Sequence, residues 1–288
     1  MKNFVVLVIA TCFSLSAFAQ SATEVYLFDF KKKGKNFQVT NPINISTNKG
    51  YDNQPSFLPD GSAILFTSTY GDQTDVVRYD IKSKTKTKLT NTAGSEYSPT
   101  VMPNGTHFSS ILLEKDGRQL LWKYPLAGGK GQIVVEKLVI GYHCWFNENT
   151  LFSFVLGDQF TLQKTTLSTG KHEIVAKNIG RSLHKIPKTD AISYIQKDKI
   201  RRWSIQKLDP ATGNVETLIK THRQQEDMAW TPKGTILMGK GEILYKFNPK
   251  KDDGWVEVIS LKQFGLTGIT RLAVSPKGDK LVVVVAEK

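Results

Sequence analysis

The 288-residue sequence predicts an all-β fold, a six-bladed β-propeller closed by N-terminal strands that complete the C-terminal blade. Three observations predict it. A turn between two apolar runs recurs at a nearly constant period, each recurrence is followed by a more polar hairpin, and the last recurrence lacks that polar half, which the N-terminus supplies.

The turn is clearest in "PSFLPDGSAILFTS", Pro55–Ser68, where Pro59, Asp60 and Gly61 separate two apolar runs as in a tight antiparallel turn. It returns in "PTVMPNGTHFSSILL" (Pro99–Leu113), "AWTPKGTILMG" (Ala229–Gly239) and "LAVSPKGDKLVVVV" (Leu272–Val285). Weaker copies are "CWFNENTLFSFVL" (Cys144–Leu156) and "HKIPKTDAISYI" (His184–Ile195). The last turn residues, Gly61, Gly105, Asn149, Thr189, Gly234 and Gly278, are spaced by 44, 44, 40, 45 and 44. That period marks a repeat architecture.

The polar half of the first unit is "DVVRYDIKSKTKTKLT", Asp75–Thr90: a strand, a turn at Ser83 and a Lys-rich strand. Each complete unit is thus four strands. Segments such as "AILF" and "LVVVV" are apolar on both faces and belong between neighbouring sheets. The charged "KTKTKLT" suits an outer edge, where charge discourages pairing with another molecule. Such units cannot bury their faces alone, and a radial arrangement lets each cover the next. The final unit ends after its first hairpin. "TEVYLFDFKKKGKNFQVTN", Thr23–Asn41, aligns with the missing half, Asp29 falling on Asp80 and Val39–Asn41 on Leu89–Asn91.

The N-terminus "MKNFVVLVIATCFSLSAFAQ" has one Lys, an apolar run and a small-x-small exit, the pattern of a signal peptide over residues 1–19. A membrane anchor needs roughly 20 apolar residues. A lipid anchor would use Cys12, which follows Thr11 rather than a small Gly or Ala. A periplasmic or secreted location follows, with a single propeller domain over residues 20–288 and no transmembrane segment after cleavage. Cys144 is then the only cysteine, so buried apolar surface and not a disulfide must stabilise the chain. Setting Lys2 aside, 38 Lys and Arg against 26 Asp and Glu leave +12, a surplus that favours anionic partners.

Gly-x-Ser-x-Gly, His-Glu-x-x-His and Cys-x-x-Cys are all missing from the sequence. His143 and Cys144 are adjacent, so on a strand they face opposite ways and do not share an ion; Cys144 is expected to be buried and His143 satisfied nearby. His107, His172, His184 and His222 are isolated and read as surface or packing residues. The residues at the start of the inner strands form the candidate ligand-binding mouth: Asp52, Gln54, Glu96, Tyr97, Tyr142, Arg181, Glu226, Asp227 and Arg271. Arg181 and Arg271 would repel a cation and pair with carboxylates of a ligand or with Glu226 and Asp227, so neither a metal nor another cofactor is expected. A plug of internally paired charges is the competing reading of the same ring. Phe57, Trp145 and Trp230 occupy equivalent positions and read as packing between blades, whereas Tyr51, Tyr97 and Tyr142 lie nearer the mouth. The basic runs Lys31–Lys35, Lys82–Lys88, Lys197–Arg202 and Lys250–Lys251 read as a solvated, anti-aggregation rim. Export and the absence of a recognition motif argue against nucleic acid.

The stretch "QPSFLPDGSAILFTSTYGDQTDVVRYDIKSKTKTKLT" resembles the WD-like repeat of TolB-type six-bladed propellers, with its Pro-Asp-Gly turn, Gly-Asp, Tyr-Asp and closing Leu-Thr. A short strand pair precedes the first blade here, where TolB carries an α/β domain. The resemblance implies a periplasmic or secreted platform that binds a protein, peptide or carbohydrate at one face or at the channel mouth. The expected function is an exported, non-catalytic binding module, a monomer, for a protein or cell-envelope polymer. The alternative is a metal-dependent lactonase or phosphotriesterase-like hydrolase with calcium in the central channel.

Overall fold

The computed structural model describes residues 21–200 and 202–287; the expected signal peptide lies outside the described residues. The described residues open with a hairpin of β1 (Thr23–Lys33) and β2 (Asn36–Asn44). Blade 1 is β3 (Asn53–Phe57), β4 (Ala63–Tyr70), β5 (Gln73–Asp80) and β6 (Thr85–Lys88). Blade 2 is β7 (Ser95–Val101), β8 (His107–Leu113), β9 (Gln119–Pro125) and β10 (Gln132–Val135). Blade 3 is β11 (Ile140–Trp145), β12 (Thr150–Val155), β13 (Thr161–Thr166) and β14 (Lys171–Lys177). Blade 4 is β15 (Ile179–Lys185), β16 (Ile192–Gln196), β17 (Ser204–Leu208) and β18 (Val215–Lys220). Blade 5 is β19 (Met228–Trp230), β20 (Ile236–Lys240), β21 (Ile243–Phe247) and β22 (Val256–Ser260).

The last strands, β23 (Arg271–Val274) and β24 (Lys280–Ala286), join the first two in a sixth four-stranded sheet of order β2-β1-β24-β23. The protein is a six-bladed β-propeller. Antiparallel pairing runs from Thr23 opposite Ala286 to Asp29 opposite Lys280. Asp80 holds the matching place opposite Ala63 in blade 1, so the alignment of Asp29 with Asp80 is that of the structure.

Mutual coverage is visible seam by seam, because every pair of neighbouring blades encloses its own apolar cluster. On β24, Val282 and Val284 pack against Ile64, Phe66 and Val77 of blade 1. Leu281, Val283 and Val285 face the other way, onto Leu237 and Leu244 of blade 5. The same two-sided use of the second strand explains why these segments are apolar throughout. Each fully buried Val, Leu, Ile or Phe contributes about 1.5–3 kcal/mol, so the ring is held by its seams.

Phe57, Trp145 and Trp230 lie at one level of their inner strands, opposite Ile64, Leu151 and Ile236, and pack into seams as the repeat predicts. Trp145 Nε1 donates to Ser109 Oγ (2.9 Å) and Trp230 Nε1 to Ser193 Oγ (2.8 Å), each across to the preceding blade. The repeat did not foretell the 3₁₀ turn Leu261–Phe264, which buries Leu261 and is closed by Gly265 at φ 71°. Among the described residues no helix is long and apolar enough to cross a membrane.

Candidate functional site at the channel

The inner strands of all six blades line a central cavity of about 610 Å³. It reaches from Tyr142, Arg181, Asp227 and Arg271, at the starts of their inner strands, to Pro59, Pro103 and Pro187 in or beside the following turns. Bulges interrupt the pairing near the start of β3, β7, β11 and β15 and set which side chains turn inward. In blades 1 and 2 the bulge places Gln54 and Ser98 at φ 58° and 55°. In blade 4 it is wider, and Arg181 stands within it between Ile179 and Leu183.

The charges converge on one carboxylate. Arg181 donates from Nε to Asp227 Oδ1 (3.0 Å) and from Nη2 to Oδ2 (2.5 Å), a bidentate pair. From the closing blade, Arg271 Nη1 lies 3.0 Å from Asp227 Oδ1, while its Nη2 donates to the Tyr142 hydroxyl at 3.0 Å. Burial alone would push the Asp227 carboxyl up, but the guanidinium groups of Arg271 and Arg181 outweigh it and hold the carboxyl below its usual range. Glu226 accepts from the Arg181 backbone N–H (3.2 Å) and from Lys197 Nζ (2.7 Å). Gly180 is required beside it, since a Cβ there would stand 2.9 Å from Ile195 Cβ as well as 2.8 Å from Glu226 Oε2.

Two carboxylates therefore face three cations, Arg181, Arg271 and Lys197, which leaves one positive charge over. Arg181 is the accessible member at 34% side-chain exposure, against 13% for Arg271. Chemically, the cluster can accept a further anionic oxygen at Arg181. Asp227, held ionised by two guanidinium groups, makes a poor proton acceptor.

Of the nine predicted mouth residues, Tyr142, Arg181, Asp227 and Arg271 come together on the cavity wall, and Gln54 lines it at blade 1. The Gln54 amide oxygen is engaged by Thr67 Oγ1 (3.1 Å) and the Ser98 N–H (2.8 Å). Glu226 braces Arg181 from outside the wall. Tyr97 packs edge-on against Tyr51, ring centroids 6.3 Å apart. Asp52 and Glu96 are buried at 0% exposure and point into seams instead. Glu96 accepts from Thr92 Oγ1 (2.6 Å) and Thr90 Oγ1 (3.3 Å), and Asp52 bonds Ser68 Oγ while its Oδ2 has no partner. The reason is strand alternation: Arg271, Tyr142 and Tyr97 share one level of the inner strands, whereas Glu96 sits one level up with Ile140, on the seam side.

Sequence reasoning missed His184, which lines the cavity and pairs through Nε2 with Ser182 Oγ at 3.0 Å. Burial pushes it down to about 4, so it is neutral at pH 7. Lys197 was also missed, having been grouped with the solvated rim. It lies over the Trp203 ring at 4.5 Å as well as pairing with Glu226. The adjacency of His143 and Cys144 resolves as alternation requires: Cys144 is buried in the blade 3–4 seam, and His143 Nε2 meets Ser109 Oγ at 2.7 Å. His143 Nδ1 and Ser98 Oγ remain buried without partners on the cavity wall.

The geometry can be set beside known proteins. No protein-family model matches the sequence. No curated protein matches it either. Among solved structures, the putative TolB from Agrobacterium tumefaciens superposes with a TM-score of 0.70 at 13% identity, over 93% of this chain and 99% of that one. The fold is that of a TolB-type propeller. TolB from Acinetobacter baumannii gives 0.61 at 11% identity, over 92% of this chain and 64% of that one. An oligogalacturonate lyase in complex with manganese gives 0.58 at 12% identity, over 88% of this chain and 83% of that one. At such identities the TolB-type likeness is one of architecture, and propellers host unrelated functions.

Proposed function

We propose that the chain is an exported, non-catalytic binding module that takes a carboxylate-bearing group of a protein or cell-envelope polymer at the Arg181–Arg271 end of its channel. One observation carries this reading: a bidentate-capable guanidinium, a third exposed, in a cluster whose cations outnumber its carboxylates. Arginine forks match carboxylates geometrically, and a concave, partly dry site strengthens the pairing. The leader pattern over residues 1–19 supports a periplasmic or secreted setting.

The competing reading is metal-dependent catalysis in the channel, to which the manganese complex of the lyase lends an architectural precedent. The residues here do not fit it. Among the described residues no three His, Cys, Asp or Glu side chains gather as a metal-holding group, and the Asp227 carboxylate is already taken by two guanidinium groups.

The test is retention on an immobilised set of peptides and oligosaccharides that differ only in bearing carboxylates. The expected outcome is retention of carboxylate-bearing members, unchanged by chelator and without ligand turnover. Chelator-sensitive turnover of any member would replace the binding module with the enzyme.

A further inference from the structure

The closing hairpin is longer than closure requires. Strand β1 pairs with β24 only as far as Asp29, yet it continues to Lys33, and Lys31, Lys32 and Lys33 pair only with Gln38, Phe37 and Asn36 of β2. The overhang is braced. Phe30 and Phe37 stack with ring centroids 4.5 Å apart, and Asn36 Nδ2 donates to the Glu257 carbonyl of blade 5 (3.1 Å). Its tip, "KKKGK" at Lys31–Lys35, is exposed throughout, and the sequence holds no acid between Asp29 and Asp52. Among the described residues none of these four lysines forms an ion pair.

The positive charge is densest on this side of the ring. The corresponding turns of the flanking blades carry Lys82 and Lys84 in blade 1 and Lys250 and Lys251 in blade 5, and the exposed acids at this end of these three blades are Asp60, Asp253, Glu257 and Asp279, the last bonded through its carbonyl by the Phe30 N–H (2.8 Å). Across the ring the outer turns are sparser: Lys130 in blade 2 and Lys171, directly after "LSTG" of blade 3, stand singly, and "DPATGN" of blade 4 carries no lysine. Edge protection does not account for this, because the lysines stand on β1 while the edge strand β2, "NFQVTNPIN", is uncharged. A projecting tip has no walls to enclose a small ligand; what meets it is another surface. Its exposed residues include no aromatic or aliphatic side chain to insert, so the attraction is electrostatic.

We propose that the Lys31–Lys35 tip, flanked by the turns of blades 1 and 5, is a docking surface for a bilayer rich in anionic phospholipid headgroups. It is separate from the channel site and lies at the opposite ends of the inner strands from Arg181. The experiment is co-sedimentation of the closed ring, residues 21–288, with phosphatidylglycerol-containing vesicles and with pure phosphatidylcholine vesicles, at low and high salt. Binding is expected only to the anionic vesicles and to disappear at high salt, where screening shortens the reach of each charge. The triple variant K31E/K32E/K33E should bind at least about a hundredfold more weakly. K31R/K32R/K33R should bind as the parent does, and K171E/K188E, on the far blades, should change binding by no more than about twofold. Equal binding by the triple glutamate variant, equal binding to neutral vesicles, or binding of soluble polyglutamate with no vesicle association would each overturn the proposal.

Discussion

Glu96 and Arg181 were read from one sequence pattern, acids and bases just ahead of an inner strand, yet they have opposite fates. In Glu96, burial first and then the nearby Asp75 carboxylate raise the carboxyl to about 7. Its hydrogen bonds from Thr92, Thr90 and Tyr124 act the other way without prevailing. Folded protein therefore holds a proton on Glu96 that the unfolded chain releases near its ordinary value of 4.5. Where the native state binds more protons, stability falls as pH rises, so this contribution is full below about 4.5 and is lost by about 7. The unfolding free energy is expected to drop by about 1 kcal/mol per pH unit across that window, and E96Q to flatten the slope. Denaturant titrations of both proteins at several pH values measure it, and an unchanged slope in E96Q would place the titration elsewhere.

Nothing in the residue types separates Glu96 from Arg181; the bulge does, by deciding which level of the strand faces the channel. One signal was present. At the Glu96 level, blade 3 carries Ile140, which is fully buried, and an aliphatic at a repeat position marks a seam rather than a mouth. His184 was illegible for another reason: it pairs in register with Ser193 beyond the wide bulge, and an isolated histidine carries no mark of the face it takes.

At the scale of the element, the seam contact between an inner strand and the second strand of the preceding blade shows how the repeat tolerates change. Trp145 meets Ser109, Trp230 meets Ser193, and the corresponding places in blade 2 and blade 1 are Val101 and Leu65, packed in one apolar cluster. A serine accompanies each tryptophan because a buried indole N–H needs an acceptor. Ser193→Ala should therefore cost about 1–3 kcal/mol, since it strands Trp230 Nε1 in the seam. Trp230→Phe combined with Ser193→Ala should cost less than the sum of the single changes, as urea unfolding of the four proteins would report; strict additivity would show the pair to be uncoupled. The strands were legible because period-2 patterning and the turn residues agree. The 3₁₀ turn at Leu261–Phe264 was not, because it lies in a connection between units, where the repeat imposes no pattern.

For the whole molecule, closure joins fold and site. Arg271 belongs to the closing blade, from which it reaches Asp227 of the neighbouring blade 5 and Tyr142 of blade 3. Removing residues 21–45 would open the β24 edge and strip Val25, Leu27, Phe28 and Phe30 from two seams. The truncated chain is expected to lose its cooperative unfolding transition and to elute as aggregate or strand-exchanged oligomer, because an exposed apolar edge pairs with other chains. A monomer with the parent's unfolding midpoint would show that the seams suffice without it. This level was the most legible from sequence, since six spaced turns and a unit split between the ends leave few other arrangements.

The central claim is that the guanidinium pair at the channel end holds a ligand's carboxylate. Calorimetric titration of the tightest carboxylate-bearing member of the ligand set against the parent and R181A/R271A/D227N tests it most directly, the third change removing a carboxylate that would otherwise be buried unpaired. With the fold verified by its thermal transition, affinity is expected to fall about tenfold or more in the variant and to be unaffected in K31E/K32E/K33E. Equal affinity in the parent and the channel variant would contradict the account and return Arg181, Asp227 and Arg271 to the role of a structural plug.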